Sequence, residues 1–389
     1  MGSRVAVVGA GHAGYAAATP GVSYKELMFE AARRAYADAG VGPRRDVDSF
    51  VSVSEDFQEG TSIFDEYVPD QLGAVRRPVQ TIASDGLGGV ATAVMLLRSG
   101  IASVVAVEAH SKASNVVTQG RIDQFAMDPI VVRPLDLPVE TLAGLEMHAY
   151  LDATGSTERQ CALVAARART LAASNGRAAY GRETSLEEVL DSPPISWPLR
   201  ELEAAQGADG SIVLVLATED RASTLPGHPV WIDGVGWNTG SAALEDRDWA
   251  TAEETTGAAD AAYGRAGIDH PARDVGLAEV DDAFAYRELM HLEALRLAPP
   301  GEAGGMAEEG WFEPDGRLPV NPSGGSLGEG YLHEAAGLAR MLSCIDRLRG
   351  RAGSTQAGES PSAVVHSWRG HPSASATVVV LRGNGSGGP

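Results

Sequence analysis

The chain has 389 residues, of which 44% are hydrophobic and 21% charged, so it has enough apolar side chains for a sizeable globular core. Its formal net charge of −21 argues against a nucleic-acid-binding protein, which needs a basic face. Two cysteines are too few for a disulfide framework and lie in no metal-ligand spacing, and no run of about 18 apolar residues predicts a membrane span.

The N-terminal segment alternates strand and helix signals. Residues 4 to 8, RVAVV, predict a buried strand that is followed by a Gly-rich segment. Ser23 and Glu26 have the spacing of a capping box, and Gly40 ends the helix that they begin. Because the opening MGSRVAVVGAG lacks a charged segment ahead of an apolar one, we expect no signal peptide and a cytoplasmic protein.

Apolar runs and alternation predict the elements that follow. They are a half-buried strand at 46–54, a buried helix at 86–99, a buried strand at 101–109, a less regular region at 114–210 with a helix from about Thr157, and a core strand at 211–218. The last residues, GNGSGGP from Gly383, predict a flexible tail.

Part of the first half of the chain recurs in the second half, which indicates a duplication. The recurring pairs are Ala35-Tyr36 with Ala262-Tyr263, Ala39-Gly40-Val41 with Ala266-Gly267-Ile268, and Asp46-Val47 with Asp274-Val275. A Gly-rich turn, an apolar helix and a Val-rich strand follow each copy. We therefore predict two related halves, 1–240 with the loop region 114–210, and 241–382, ahead of the tail 383–389.

The first Gly-rich segment spells a dinucleotide-binding motif. Gly9 to Gly14 is a literal G-x-G-x-x-G after a strand, where a pyrophosphate could approach a helix N-terminus. The motif needs a helix immediately after it and an acidic residue at a strand end about 20 residues on. Here Thr19-Pro20-Gly21 interrupts the chain, and Glu30 lies within a predicted helix. We therefore expect a simple Gly-rich loop and no dinucleotide site.

Three later segments resemble motifs of the thiolase superfamily, especially the sterol carrier protein-type thiolases. GRLPVNPSGGSLGEGY at 316–331 is similar to the Asn-Pro-x-Gly-Gly run that leads into Gly-His-Pro. EVDDAFAYRELMHLEAL at 279–295 is similar to the His-Asp-x-Phe or Asn-Glu-x-Phe motif, and AVVHSWRGHPSASATVVVL at 363–381 to the last motif, His-Asn or Cys-x-Gly. The resemblance implies an α/β thiolase fold, with two βαβαβαββ halves in a five-layered α-β-α-β-α body.

The resemblance also implies where the reacting groups lie. In a thiolase, a cysteine at the N-terminus of a buried helix attacks the acyl-CoA, because the helix dipole lowers the pKa of its thiol. The family pattern Cys-Ala-Ser-Gly aligns with Ala83-Ser84-Asp85-Gly86, so this chain has no cysteine there. After a one-residue slip Ser84 takes that position, either as a nucleophile that needs a base or, with Asp85, as a helix cap.

Three other motif positions are candidate acid–base groups. Tyr331 stands at the histidine of Gly-His-Pro, with His333 two residues on, and is either a proton donor or acceptor or a core tyrosine. Asp281, with Asp282 beside it, takes the polar position of the second motif, as an acid–base group or as a solvated residue next to a cap. His366 aligns with the histidine of His-Asn and is the expected base at the carbon α to a thioester, or else a structural histidine.

The resemblance implies an enzyme that makes or breaks a carbon–carbon bond next to an acyl-CoA thioester, without a cysteine acyl-enzyme. Ser323, Gly324 and Gly325 are expected to bind the ligand, because the two glycines let the backbone approach it closely. The N–H groups of Gly324 and Gly325 are expected to line an oxyanion site. The run GEGYLHEAAG resembles the steroid side-chain aldolases, whose second motif has a tyrosine where this chain has Asp281, and it favours retro-aldol cleavage. The alternatives are an acyl-CoA acyltransferase that uses Ser84, and a non-catalytic thiolase-like subunit.

The same resemblance sets expectations for ligands and partners. Coenzyme A enters as part of the substrate, with no bound cofactor and no metal. A homodimer through the strand after residue 80 and a small zinc-ribbon/OB-fold partner protein are implied. Cys161 is expected on a surface helix of the loop region and Cys344 on a helix remote from the Gly-rich turn, so neither is expected to react.

Overall fold

The computed structural model describes residues 4–55, 64–116, 119–125, 127–241, 243–357, 361–369 and 374–383. Its strands are β1 (Val5–Ala16), β2 (Ser49–Val53), β3 (Val79–Ile82), β4 (Val104–Lys112), β5 (Pro194–Ser196), β6 (Leu199–Arg200), β7 (Asp209–Thr218), β8 (Val230–Thr239), β9 (Ala278–Glu279), β10 (Ser362–Arg369) and β11 (Ser375–Arg382).

The α-helices within these ranges are α1 (Tyr24–Ala39), α2 (Pro43–Asp46), α3 (Pro69–Leu72), α4 (Gly86–Arg98), α5 (Gln119–Phe125), α6 (Val139–Thr154), α7 (Glu158–Ala172), α8 (Leu186–Leu190), α9 (Glu219–Ala222), α10 (Glu253–Ala266), α11 (Pro271–Asp274), α12 (Ala285–Ala294), α13 (Ala303–Glu308), α14 (Gly325–Glu329) and α15 (Ala336–Leu348). In the described part of the chain, no helix is both long enough and apolar enough to cross a bilayer.

One mixed sheet shows the duplication directly. Its nine strands run in the order β3-β2-β4-β7-β1-β8-β11-β10-β9, with β1 and β8 antiparallel at the centre. Outward from that pair, β1-β7-β4-β2-β3 in the first half corresponds to β8-β11-β10-β9 in the second, where Val320 forms a bridge beyond β9 in the place of β3. Strands β2 and β9 therefore occupy equivalent positions in the two halves, as the repeat requires.

The repeat extends to side-chain detail in the helix–loop–strand unit. Helices α1 and α10 both end at a left-handed glycine, Gly40 or Gly267. Short helices α2 and α11 follow, each held by an aspartate whose carboxylate accepts a hydrogen bond from the backbone ahead of it.

The predicted boundary between the two halves, near residue 240, stays a prediction. Because β8 matches β1, the strand pairing favours a second half that begins before Val230.

The sheet and helices form layers around three apolar clusters. Odd-numbered residues of β1, β2 and β4, such as Val51 and Val107, face the two central helices α4 and α15. Even-numbered residues, such as Phe50 and Ala106, face α1 on the outer side. In the second half, Val365 faces the central helices and Val364 faces α10 and α12 on the other outer side. This is the expected α-β-α-β-α arrangement.

The Gly-rich segment after the first strand is part of the strand itself, which corrects the loop expected there. β1 continues to Ala16 because Gly9 and Gly11 let α1 pack closely on it. A Cβ at Gly9 would collide with the Ala35 carbonyl oxygen, and one at Gly11 with the Ala31 carbonyl oxygen. Gly234 and Gly236 of β8 meet α10 in the same way. The G-x-G motif is thus a packing motif that the duplication has copied.

The loop region 114–210 is more helical than expected and covers the outer side of the second half. Its helix α7 begins at the capping box of Thr157 and Gln160, and it packs against α12, α13 and α14. Cys161 lies on the buried face of α7 and is fully buried. The surface location expected for this cysteine is therefore wrong, because α7 is covered by the second half.

A matched pair of tyrosines tests the duplication energetically. The buried hydroxyl of Tyr36 donates to the Leu72 carbonyl at 2.8 Å, and that of Tyr263 donates to the Leu295 carbonyl at 3.0 Å. We expect Tyr36→Phe and Tyr263→Phe each to lower the free energy of unfolding by about 1 kcal/mol, since each leaves one buried carbonyl unpaired. Urea titrations of the two variants should agree within experimental error. A large loss in one and none in the other would contradict equivalent roles.

Candidate active site at the N-terminus of the central helix

The N-termini of both central helices converge on the carboxylate of Asp85. This residue is the N-cap of α4, and its Oδ1 accepts the Leu87 N–H at 2.9 Å. Its Oδ2 accepts the Gly337 N–H, in the first turn of α15, at 3.0 Å. Asp85 is buried, and burial raises the pKa of its carboxyl, while the Ser367 hydroxyl and Arg340 act in the opposite direction. The cap that the sequence offered as one interpretation of Asp85 is present.

The position of the missing thiol lies beside this cap. Ala83 is exposed and Ser84 is half-buried in the loop that enters α4. The Ser84 hydroxyl lies against Gly88, one turn into the helix. In the described part of the chain, no imidazole or carboxylate is hydrogen-bonded to Ser84 that would activate it as a nucleophile. Its predicted role as a nucleophile stays an untested prediction.

Tyr331 and His333 stand together on the turn between α14 and α15. Their ring centroids are 4.9 Å apart, and both side chains are half-buried. The backbone of Tyr331 is held by hydrogen bonds to Gln206 (2.8 Å) and Ala208 (3.0 Å). His333 has a φ of 45°, a left-handed conformation that is uncommon for a residue with a side chain and that often marks functional turns.

Burial and one neighbouring cation set the charge state of this pair. Burial raises the pKa of the Tyr331 hydroxyl above its ordinary value, and Arg369 opposes that shift. Burial, followed by the charge of Arg369, lowers the pKa of His333 to about 4. At neutral pH the turn therefore presents a neutral phenol, which can donate a hydrogen bond, and a neutral imidazole, whose unprotonated ring nitrogen can accept one.

Asp281 is buried against a guanidinium and is not solvated. Its Oδ2 accepts from Arg340 at 2.8 Å, and the same arginine nitrogen donates to the Ser326 hydroxyl at 2.8 Å. The charge of Arg340 also acts on Asp85 and Tyr331, so Asp281 and these two residues surround one buried cation. The structure thus brings three sequence-predicted residues from separate segments into one neighbourhood.

The neighbouring Asp282 caps the short helix α14. Its carboxylate accepts the N–H groups of Ser326 (2.7 Å) and Leu327 (3.2 Å) and is fully buried. Burial raises its pKa to about 7, against the field of Arg340. Asp282 is therefore a structural acid beneath the Gly-rich turn.

His366 is a buried histidine whose two ring nitrogens both have partners inside the protein, and its expected role as a general base stays a prediction. The ring is fully buried, its Nδ1 accepts the Asp281 N–H at 3.3 Å, and its Nε2 lies 3.0 Å from the Thr255 hydroxyl. With Nδ1 as acceptor, the neutral ring carries its proton on Nε2 and donates it to Thr255. Burial lowers its pKa well below the ordinary value. Its place on β10 turns it toward His291 in the outer layer, away from α4.

The backbone N–H groups of the Gly-rich turn have hydrogen-bond acceptors inside the protein. Ser323, Gly324 and Gly325 are all buried. Their N–H groups donate inside the protein, to Glu279 (3.3 Å), to the Asn321 carbonyl (2.9 Å) and to the Ser323 hydroxyl (3.0 Å). A Cβ at Gly324 would collide with Ala172 of α7, and one at Gly325 with the Asp282 carboxylate. The glycines serve close packing, and the oxyanion site expected there stays a prediction.

Three residues at this site were missed from the sequence. Arg340 lies on the second turn of α15, where no local pattern marks it. Ser367 and Arg369 lie on β10, where the alternation of a strand was a usable signal. Because Val365 faces the central helices, residues 367 and 369 face the same side, while His366 faces the opposite one.

In the part of the chain that the structure describes, these groups form no candidate metal centre. Across the described ranges, no three His, Cys, Asp or Glu side chains are grouped closely enough to hold an ion. His371, the second histidine of the last motif, lies outside the described residues.

The buried acid Asp282 makes stability depend on pH. Its folded pKa of about 7 lies above its ordinary value of 3.8, so the folded protein holds a proton that the unfolded chain has lost between these values. This contribution is complete below about pH 4 and is lost as the pH rises through 7. We expect the free energy of unfolding of the wild type, relative to Asp282→Asn, to fall between pH 5.5 and 7.5 by up to about 1.4 kcal/mol per unit. A difference that is constant across this range in urea titrations would show that Asp282 ionises normally.

Comparison with known proteins places these observations in a family. Residues 237–382 match the family described as "Thiolase C-terminal domain-like". The chain is 30% identical over 346 residues to the steroid side-chain-cleaving aldolase of Thermomonospora curvata, which covers 84% of this chain and 86% of that protein. It is 27% identical over 350 residues to the acetyl-CoA acetyltransferase of Methanothermobacter thermautotrophicus, covering 89% and 91%.

One solved structure has a similar fold over almost the whole length of this chain. The Ltp2-ChsH2(DUF35) aldolase superposes with a TM-score of 0.84 at 26% identity, covering 98% of each chain. The length of these matches, together with the duplicated sheet and the central helix pair, identifies the fold that the sequence motifs implied. The chain belongs to the thiolase superfamily.

Proposed function

We propose that this protein is an acyl-CoA lyase that cleaves a carbon–carbon bond next to the thioester by a retro-aldol reaction. The observation that carries the proposal is the contact between the Tyr331 and His333 rings, 4.9 Å apart, on the turn near the start of α4, where a thiolase has its cysteine and this chain has Ala83 and Ser84. The aldolases among the similar proteins support the same reaction class.

The reaction needs no nucleophile from the protein. The substrate is a β-hydroxyacyl-CoA. A base removes the proton from the β-hydroxyl, the bond between Cα and Cβ breaks, and Cβ becomes a ketone or aldehyde carbon. The electron pair of the broken bond passes to Cα and the thioester oxygen as an enolate. Protonation of Cα then releases the shorter acyl-CoA. The protein must supply a proton acceptor, a proton donor and a site that tolerates the enolate charge.

Residues of the turn fit the first two roles. His333 is neutral over the physiological range, because its pKa is lowered to about 4, and we assign it as the acceptor of the β-hydroxyl proton. Tyr331 keeps its proton, because burial raises its pKa, and we assign it as the hydrogen-bond donor to the substrate oxygens. Asp281 is paired with Arg340, and we assign it a structural role next to the site and no proton transfer.

Acyl transfer through a protein nucleophile is the less favoured alternative. Cys161 and Cys344 are both fully buried, and burial raises the pKa of each thiol well above its ordinary value. A buried thiol that keeps its proton is a poor nucleophile. Ser84 lies against Gly88, with no hydrogen-bonded base among the described residues.

In this proposal coenzyme A is part of the substrate and not a resident cofactor. The enzyme works in the cytoplasm, where acyl-CoA thioesters are used.

We also propose a separate small zinc-ribbon/OB-fold partner protein. The solved Ltp2-ChsH2(DUF35) aldolase, to which the chain is similar, is described by two component names, which supports a two-protein assembly.

The central test is removal of the Tyr331 hydroxyl. We expect Tyr331→Phe to reduce turnover about 100-fold or more, the usual effect of losing one acid–base group, with little change in unfolding temperature. The assay incubates the protein with a panel of 3-hydroxyacyl-CoA thioesters and follows the shorter acyl-CoA by liquid chromatography with mass spectrometry. Turnover within tenfold of the wild type would remove Tyr331 from the mechanism.

Two controls accompany this variant. Tyr180→Phe removes a nearby hydroxyl that donates only to the Gly207 carbonyl at 2.6 Å, and it should keep its turnover. Iodoacetamide treatment of the native protein should also leave turnover intact, because both thiols are buried. Inactivation by alkylation that is prevented by coenzyme A would instead point to a cysteine mechanism.

Self-association is proposed through the edge of the sheet. β3 is the outermost strand of the first half, and its residues Val79–Ile82 are half-buried. The Pro78 carbonyl accepts from Phe50 of β2, and the Ile82 carbonyl accepts from Ser54, directly after β2. By alternation, Val79 and Thr81 present their backbone groups outward, where a second copy of the strand can pair with them.

Light scattering tests the homodimer. The wild type should have about twice the 40.4 kDa mass of one chain at micromolar concentration. Thr81→Pro removes an outward N–H without affecting the hydrogen bonds to β2, so it should yield monomers that keep the native circular dichroism spectrum. A wild-type monomer would contradict the proposal.

A further inference from the structure

A cavity of about 660 Å³ at the far end of the sheet is lined mainly by arginines. Among the described residues that line it, four are arginines and one, Asp233, is an aspartate. The arginines come from four separate segments, namely Arg4 directly before β1, Arg98 at the end of α4, Arg265 in the last turn of α10 and Arg382 at the end of β11. The lining therefore carries an excess of positive charge in a chain whose net charge is −21.

This cavity is remote from the candidate active site. Helix α4 runs from its N-cap Asp85, at that site, to Arg98, and its 13 residues span about 20 Å. In the sheet, Arg382 pairs with Ser362 at the beginning of β10, whereas Arg369 near Tyr331 ends that strand. A strand of this length spans about 25 Å. A ligand bound between the arginines would therefore not occupy the acyl-CoA site.

Three of the four guanidinium groups are held in place by their neighbours. Arg4 lies over the Trp231 ring, 4.0 Å from its centroid, and one of its nitrogen atoms is 3.9 Å from Asp233 Oδ1. Arg382 donates to Oδ2 of the same aspartate. Arg265 Nη1 donates to two backbone carbonyls, at 2.8 and 3.1 Å. Because these donors are already fixed, a ligand would lose less conformational freedom of the protein on binding.

The carboxylates nearby compensate this charge only in part. Asp233 is shared by Arg4 and Arg382, and Glu219, outside the lining, lies 3.7 Å from Arg4. In the part of the chain that the structure describes, no carboxylate forms an ion pair with Arg98 or Arg265. Both end helices, and a helix C-terminus supplies only about half of one negative charge. Positive charge therefore remains at the cavity for an anion to neutralise.

We propose that this cavity is a second ligand site, which takes a small molecule with two neighbouring phosphate groups. Guanidinium groups match phosphate oxygens through paired hydrogen bonds. One phosphate group brings a charge of about −1.5 to −2 at neutral pH, so two such groups suit four guanidiniums better than one. A cavity of about 660 Å³ also has the size of small-molecule sites. The inference does not depend on the function proposed for the Tyr331–His333 turn.

Isothermal titration calorimetry of the full-length protein with inorganic pyrophosphate, in metal-free buffer, tests this site. We expect one pyrophosphate per chain with a Kd below about 1 mM, and weaker binding as sodium chloride is added, because the arginines are exposed. Arg98→Gln and Arg265→Gln should each weaken binding about tenfold, the effect of losing one charge-assisted contact. Both side chains lie at the surface, so the variants should keep the native circular dichroism spectrum.

The matched control is Arg273→Gln, which removes the same charge from a side chain that is 68% exposed and paired with Asp274. It should leave the Kd within about twofold of the wild type, because the added long-range charge is screened by salt. Absence of saturable binding would overturn the inference. An equal loss in all three variants would overturn it too, since only the net charge would then matter. Binding that Arg98→Gln and Arg265→Gln leave unchanged would place pyrophosphate elsewhere, and succinate binding as tightly as pyrophosphate would rule out a phosphate site.

Discussion

The carboxylate of Asp85 holds the two central helices at one point, and the remaining site residues are arranged around it. It accepts N–H groups from the first turns of α4 and α15, which come from different halves of the duplicated chain. A buried carboxylate is costly unless it is hydrogen-bonded, and here two helix dipoles and the Arg340 guanidinium offset that cost. Because Arg340 lies one turn after Gly337, the same face of α15 that meets Asp85 also carries the cation that binds Asp281.

The duplicated fold was predictable from sequence because its determinants are local. A left-handed glycine ends α1 and α10, and a Pro-initiated short helix follows each. The G-x-G segment misled the loop prediction for a reason that the structure explains. Glycines on β1 remove the Cβ atoms that α1 would otherwise meet, and a sequence motif does not say whether a pyrophosphate or a helix makes the close approach.

The candidate site was predictable only in part. Tyr331, Asp85 and Asp281 were found because each occupies a motif position, and they do lie around one buried cation. His366 and the turn from Ser323 to Gly325 also occupy motif positions, yet their polar groups bind other parts of the protein. A motif position therefore predicted which chain segments come together in the fold. It did not predict whether each side chain in such a segment faces the site or the interior of the protein. Strand alternation would have separated His366 from Arg369, whereas the pairing of Arg340 with Asp281 needed the tertiary structure.

The charge at the helix N-terminus bears directly on the type of chemistry. An unoccupied helix N-terminus stabilises an anion, which is how a thiolase lowers the pKa of its cysteine. In this chain Asp85 already receives the N-termini of both central helices, so little of their positive potential remains for a serine alkoxide at position 84. The neutral pair on the adjacent turn has no such requirement, because a hydroxyl proton moves to an imidazole without an anionic protein nucleophile. The carboxylate that organises the two halves thus also disfavours acyl transfer and favours cleavage by proton transfer.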